Sequence, residues 1–345
     1  MVNVYITNKF VENIRYLPVL FPIFGPLKDE KRLFADLGDR AFKEPVFNLV
    51  ANIDEADFVL FPHDFYYFMI GRIPKEYLDE HVLLSQKHKK KLLIFDLSDL
   101  TEREIDVPNS IVFRIAGYGH RQKENEIIMP SFVEDLSEYK KNIWRQKSEK
   151  PVVGFCGWGE LKNAGQKIKL WLKNFLISDK AHKRGIYFRM KAIKILERCN
   201  NITQNFIIRK SYSSHKLTIE LPPEEARRQY IENISGSDFT LCVRGDANTS
   251  YRFFETLSLG RIPLVIDTDC VFPLKDMIDY NEFTLIVNYR DIDNICGIVE
   301  NFYKKISNEE FMQMQKAART VFEKYLSAKA FLSYILPILA KNANQ

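Results

Sequence analysis

The residues of this chain best equipped for chemistry crowd between positions 244 and 255: Arg244, Gly245, Asn248, Thr249, Ser250, Arg252 and Glu255. Arginines beside the free amides of a helix N-terminus make a seat for a phosphate or diphosphate, because amides and helix dipole add to the guanidinium charge. Arg252 and Glu255 lie three apart and share one helical face, so the carboxylate could accept hydrogen bonds from hydroxyls of an attached sugar. The same spacing suits a solvated ion pair equally well, and spacing alone does not choose between the two.

These side chains need a strand, a loop and a helix to aim them. Thr240 to Val243 is a short apolar run of strand formers, and Arg244 to Asn248 supplies turn chemistry. Thr249 or Ser250 can then cap a helix running to about Leu259, with Phe253, Phe254 and Leu257 on its inner face. Gly260 falls just past its end, Pro263 prevents its continuation, and Leu264 to Ile266 reads as the next strand.

In order and in gaps, the stretch from Ser237 to Asp267 resembles the C-terminal motif of the exostosin family of glycosyltransferases. That motif runs Ser, apolar strand, Arg-Gly, Ser-x-Arg-x-x-Glu, Gly-x-x-Pro and a Val/Ile strand. The matching residues are Ser237, Arg244, Gly245, Ser250, Arg252, Glu255, Gly260 and Pro263, while Val243 replaces the proline usual before Arg-Gly. Fainter similarity at Ala56 to Pro62 and at Glu126 to Pro130 extends the resemblance over roughly residues 50 to 285. It implies inverting transfer from a nucleotide sugar, a diphosphate held without a divalent metal, and a ribose contact at Glu255. It also implies the GT-B fold, two Rossmann-like α/β domains facing a cleft.

At 345 residues the chain is long enough for two domains, and alternating apolar runs and helical patterns predict a parallel α/β architecture. Val2 to Ile6, Phe58 to Phe61, Leu92 to Phe95 and Ile111 to Phe113 are candidate strands of a first, acceptor-side domain over 1–150. A polar segment around Trp144, a connecting helix or linker, separates it from a nucleotide-sugar domain over 151–327. The second domain opens on the strand from Pro151 into Gly157-Trp-Gly159, where glycines admit backbone amides to a ligand, though a plain tight turn fits as well. A helix from about Lys183 to Cys199, a strand at Phe206 to Arg209 and a helix from Pro223 to Asn233 complete it, and the apolar tail 328–345 is expected to return to the first domain. Loops around Gly157 and residues 210 to 222 would read the donor base and sugar.

Composition narrows the function further. A net charge of +5, from 50 Lys and Arg against 45 Asp and Glu, is too small and too scattered for a nucleic-acid binder. The run Lys87 to Lys91 fits a helix C-terminus before a strand, while leaving room for peripheral contact at the inner face of a membrane. The five cysteines, Cys156, Cys199, Cys242, Cys270 and Cys296, form no Cys-x-x-Cys pair and read as reduced core thiols of a cytoplasmic protein. The opening Met-Val-Asn-Val-Tyr-Ile shows no secretory leader, Tyr16 to Leu27 is broken by prolines, and Phe331 to Ala340 is too short to span a bilayer.

An inverting transfer needs a base for the acceptor hydroxyl, expected at a first-domain strand end facing the cleft. His63 and Asp64 are best placed, followed by Asp96 and Asp99, then by His120 with Arg121 after a Gly-Tyr-Gly loop. A lone His or Asp at such a place is more often a cap or turn residue. Asp267-Thr-Asp269 matches the Asp-x-Asp triplet that holds Mn²⁺ in other glycosyltransferases, but Asp291-Ile-Asp293 shows how easily that triplet arises, and no metal ligand set is expected. The sequence thus points to a cytoplasmic glycosyltransferase using a UDP- or GDP-sugar and a glycan or lipid-linked glycan acceptor. A fucosyltransferase-like enzyme with a guanosine donor and a non-catalytic sugar-nucleotide or glycan-binding partner are the alternatives.

Overall fold

The computed structural model describes residues 1–343 apart from 8, 27–39, 141–142, 176, 178–179 and 212–217, and apart from the side chains of 167, 171, 173 and 180. Leu27 and the centre of the 210 to 222 loop therefore lie outside the described residues. Six strands, β1 (Asn3–Tyr5), β2 (Asn48–Leu49), β3 (Phe58–Asp64), β4 (Lys91–Asp96), β5 (Ser110–Arg114) and β6 (Glu126–Ile128), form one sheet in the order β2-β1-β3-β4-β5-β6. Five more, β7 (Val152–Trp158), β8 (Thr203–Arg209), β9 (Phe239–Cys242), β10 (Ile262–Asp267) and β11 (Leu285–Asn288), form a second in the order β11-β10-β9-β7-β8. Every pairing between these strands is parallel. Two parallel α/β sheets are the architecture the GT-B fold requires.

Parallel sheets must be covered on both faces, which is why their strands read as unbroken apolar runs. Phe58, Val59, Leu60 and Phe61 of β3 are all fully buried, feeding one core below the first sheet and another above it. Helix α1 (Lys75–Lys87) closes one of those faces with Leu78. In the second domain, α2 (Ala164–Phe175) precedes α3 (Gly185–Leu196), which packs with α6 (Ile295–Lys305) on one face. The other face carries α5 (Tyr251–Ser258) and α7 (Asn308–Val321). Between them in sequence, α4 (Pro223–Ser235) packs along β7. The last helix, α8 (Ala328–Ala343), contains Pro337 and buries Phe331, Leu332 and Leu336 in the core of the first domain.

Positions 130–150 hold a short 3-10 turn, Leu136–Tyr139, and no α-helix among their described residues. Asp135 caps that turn through Ser137 N. Gly260 adopts φ +57 at the end of α5, where a Cβ would come within 3.1 Å of Trp144 and 3.3 Å of the Gln315 carbonyl. Only glycine fits the reversal that feeds β10.

The reading of five reduced thiols is corrected here. Cys199 after α3 and Cys296 in α6 are joined as a disulfide, their Cα atoms 6.0 Å apart, because the packing of α3 on α6 brings together positions 97 residues apart in sequence. Sequence distance had hidden that contact; Cys156, Cys242 and Cys270 remain free. Among the described residues, no helix is long and apolar enough to cross a membrane.

Candidate active site

Helix α5 starts at Tyr251, and its N-cap Ser250 makes no side-chain capping bond, so neither the hydroxyl nor the helix end is satisfied by the usual partner. Arg252, in the first turn, reaches back to the C-terminal end of β7 and donates from Nη2 to the Cys156 carbonyl at 2.8 Å. Its guanidinium lies over the Phe155 ring at 4.3 Å and near Tyr230 at 5.6 Å. Its Nε has no partner among the described residues, and no ion pair neutralises it there. Gly157 sits beneath it at φ +146, and a Cβ at that position would come within 3.0 Å of Arg252 Nη2. A glycine is therefore needed twice over, for the backbone and for the arginine. Thr249 and Ser250 are half-buried beside this corner.

The other predicted donor residues are deployed differently. Arg244 is 6 % exposed, with Nη1 donating to Tyr118 Oη and to the Ala181 carbonyl and Nη2 to the Asp246 carbonyl at 2.8 Å. Gly245 stands with open space on its side-chain face and donates to the Thr249 carbonyl. Asn248 is buried, its Nδ2 donating to the carbonyls of Gly117, Thr268 and Asp269 and its Oδ1 accepting from Thr268 Oγ1 at 2.6 Å. Because Gly117 belongs to the first domain, Asn248 is a tie between the domains. The seam closes there around a cavity of about 30 Å³ lined by Ile115, Ile128, Arg244, Asn248, Ser250 and Cys270, enough for about one water.

Glu255 does not pair with Arg252. It is 6 % exposed, accepts from Arg227 Nη1 at 3.1 Å, and accepts from Tyr230 Oη. Arg227 donates on to Glu134, which also takes bonds from Arg40 at 2.7 Å and Tyr139 Oη at 2.9 Å. Burial opposes the Arg227 charge, but Glu255 and Glu134 outweigh it and hold its pKa above the usual value. Burial likewise opposes ionisation of Glu134, yet Arg227 and Arg40 pull its pKa below the usual carboxylate range. Burial and the Glu255 anion push the Tyr230 hydroxyl well up, so it stays a donor.

The first-domain strand ends also divide. His63 is fully buried, with Nδ1–H donating to the Arg15 carbonyl at 2.9 Å and Nε2 accepting from Val11 N at 3.1 Å. Burial lowers its pKa, and both ring nitrogens are spent on backbone, leaving none for an acceptor hydroxyl. Asp64 closes a turn, accepting from Tyr66 N and Leu97 N, each at 3.1 Å. Asp96 is buried against Arg114 at 3.1 Å, and Asp99 lies exposed in the following loop. His120 faces the second domain, with Nδ1 2.6 Å from Asp269 Oδ2, while Arg121 pairs with Glu102.

The Asp-x-Asp carboxylates are engaged separately. Asp267 accepts from Cys270 N at 2.8 Å, Asp269 is held by His120, and Asp293 of the second triplet pairs with Lys191 at 2.7 Å. No group of three His, Cys, Asp or Glu among the described residues is arranged to hold a metal ion.

Residues the sequence did not single out complete the corner. Arg189 of α3 donates to the carbonyls of Trp158 at 2.8 Å and Arg244 at 3.1 Å, and Gly185 allows the close approach, since a Cβ there would fall 2.1 Å from the Arg244 carbonyl. Tyr118 stacks on His182 at 4.3 Å, and His182 pairs with Glu102 at 2.5 Å. A basic residue one turn after Gly185 at the start of α3 was the available signal for Arg189; nothing local marked Tyr118 or His182.

Residues 174–302 match the family model of the Exostosin GT47 domain. The chain is similar to an exostosin-1 homolog of Caenorhabditis elegans, 31 % identical over 34 % of this chain and 30 % of that protein. It is also similar to exostosin-2 of Mus musculus, 21 % identical over 43 % of this chain and 19 % of the other. These matches span less than a third of the relatives' own length. Among solved structures, Anabaena Alr3699/HepE in complex with UDP aligns over 84 % of this chain and 79 % of its own, at 8 % identity and a TM-score of 0.40. TarM aligns over 78 % and 58 %, at 11 % identity and a TM-score of 0.34. The strand, loop and helix that carry Arg244, Arg252 and Glu255 all fall inside the range that matches the Exostosin GT47 domain model.

Proposed function

We propose that this protein is a glycosyltransferase that moves a sugar from a UDP- or GDP-sugar to a hydroxyl of a glycan or lipid-linked glycan, with inversion at the anomeric carbon. The observation that carries the reading is Arg252, a guanidinium without a carboxylate partner among the described residues, held on the Cys156 carbonyl over Gly157 and beside a helix N-terminus without a side-chain cap, inside the range that matches the Exostosin GT47 domain. Charge building on a leaving diphosphate is stabilised best by fixed donors of this kind, which need no reorganisation as the bond breaks. Thr249 and Ser250 add hydroxyls at the same helix end, and Gly157 lets a phosphate approach the backbone of β7. Arg244 supports this corner from the seam, and Asn248 fixes the loop that bears it. Glu255 already accepts one bond on each oxygen, from Arg227 and Tyr230, and would meet a ribose hydroxyl with a remaining lone pair. In this scheme the diphosphate is neutralised by arginine and helix amides, with no divalent ion required.

Turnover of a panel of UDP-, GDP- and CMP-sugars, with and without EDTA, tests the reading. One donor class should be consumed, unaffected by EDTA, and Gly157→Ala should weaken its binding because the new Cβ displaces Arg252. Consumption of none of the donors by the wild-type chain would refute it.

A further inference from the structure

We infer that His120 is the general base of the transfer and that Asp269 orients it from across the domain seam. The inference rests on the glycosyltransferase reading above. Tyr118 and Cys270 form an isolated antiparallel bridge between the domains, and Gly119 N donates to the Asp269 carbonyl at 3.2 Å. Asp269 sits at φ +64, in the left-handed region that aspartate adopts more readily than most non-glycine residues. A Cβ on Gly119 would fall 2.7 Å from Asp269 Oδ1, so the glycine makes room for the carboxylate. His120 then grips Asp269 Oδ2 twice, from its main-chain N at 3.3 Å and from Nδ1 at 2.6 Å.

An ionised carboxylate only accepts, so this contact keeps the proton on Nδ1 and the lone pair on Nε2. Nε2 has no partner among the described residues, and the His120 side chain is 47 % exposed. That is the tautomer and access a base requires, the opposite of His63. The site lies against the donor loop, because Asn248 Nδ2 donates to the Asp269 carbonyl at 3.1 Å and Arg244 donates to Tyr118. The groups facing His120 are Asp269 and the rings of Tyr118 at 5.7 Å and His182 at 5.6 Å, with Glu102 behind, shared between His182 and Arg121.

In the step itself, Nε2 takes the acceptor hydroxyl proton while that oxygen forms its bond to the anomeric carbon. The bond from that carbon to the diphosphate oxygen breaks, its electron pair leaves on the nucleotide diphosphate, and the imidazolium returns the proton to water.

The test uses the full chain and the donor identified by the panel, measuring kcat and KM against pH, donor affinity by calorimetry, and Tm. His120→Ala should lower kcat on the order of 10²- to 10⁴-fold with donor affinity and Tm unchanged. His120→Asn, whose amide can keep the bond to Asp269, should not restore the rate. Asp269→Asn should lower kcat while leaving KM for the donor and Tm unchanged, because the acceptor that fixes the Nδ1 proton and the ring orientation is gone. A wild-type rate in His120→Ala, or recovery in His120→Asn, would overturn the assignment while leaving donor use intact. Absence of turnover by the wild-type chain with any donor would instead overturn the assignment and the function beneath it together.

Discussion

Among the charged clusters that bridge the domains, the Glu134–Arg227–Glu255 chain and the His120–Asp269 pair are built in opposite ways. In the Glu134–Arg227–Glu255 chain the side chains are between 4 % and 14 % exposed and the carboxylates are all engaged, with Arg40, Tyr139 and Tyr230 filling the remaining positions. In the His120–Asp269 pair the side chains are 47 % and 41 % exposed, and the Nε2 of the imidazole has no partner among the described residues. Buried charges held between opposite charges keep two domains in register, since losing one member strands the others. Exposed groups with an open valence, set by a left-handed aspartate and a glycine that makes room for its carboxylate, contribute little to stability and are free to meet a substrate.

The difference can be broken most severely at Arg227. Arg227→Ala leaves Glu255 and Glu134 facing each other without their shared cation, and should lower unfolding free energy by about 3–5 kcal/mol in urea titrations. His120→Ala in the same assay should change it by less than about 0.5 kcal/mol. Gly119→Ala should cut turnover on the order of 10²-fold by pushing the Asp269 carboxylate aside, with urea midpoints nearly unchanged, since its new contact is a movable side-chain tip.

A gentler probe is pH. His63 and His81 are fully buried, and burial lowers both pKa values below that of the unfolded chain. Their contribution is complete above about pH 6.5, the unfolded value, and is lost as pH falls from there through the folded values, because the unfolded state takes up the protons. Stability measured at pH 5 should therefore fall below that at pH 7.5. The smallest effect is expected at Lys43, whose ion pair with Glu138 is exposed on both sides, and Lys43→Ala should stay within about 0.5 kcal/mol of wild type.

Much of this framework was readable from residue order. The apolar runs that became β3, β4, β5, β9 and β10 are unbroken because parallel strands bury both faces, and Gly260 and Pro263 punctuate the end of α5 as local chemistry demands. Arg252 and Ser250 were located for the same reason, since the helix start that aims them is a local signal. What local signals could not give was burial. His63 lies near the C-terminal end of β3 and His120 follows β5, yet the first is walled in by the backbone of Val11 and Arg15, more than forty residues earlier, and the second meets Asp269 across the seam. Glu255 shares a helical face with Arg252 but is captured by Arg227 and Tyr230 of α4, and Cys199 meets Cys296 through helix packing. Each of these outcomes depends on contacts between elements far apart in sequence.

The donor corner is tested most directly by calorimetric titration of UDP and GDP into wild-type protein, Arg252→Ala and Lys43→Ala. Wild type and Lys43→Ala should bind one of the two alike, and Arg252→Ala at least about tenfold more weakly, as expected for loss of a charged hydrogen-bond donor. Equal affinity in Arg252→Ala, or no binding of either nucleotide by wild type, would contradict a diphosphate seat at this helix end.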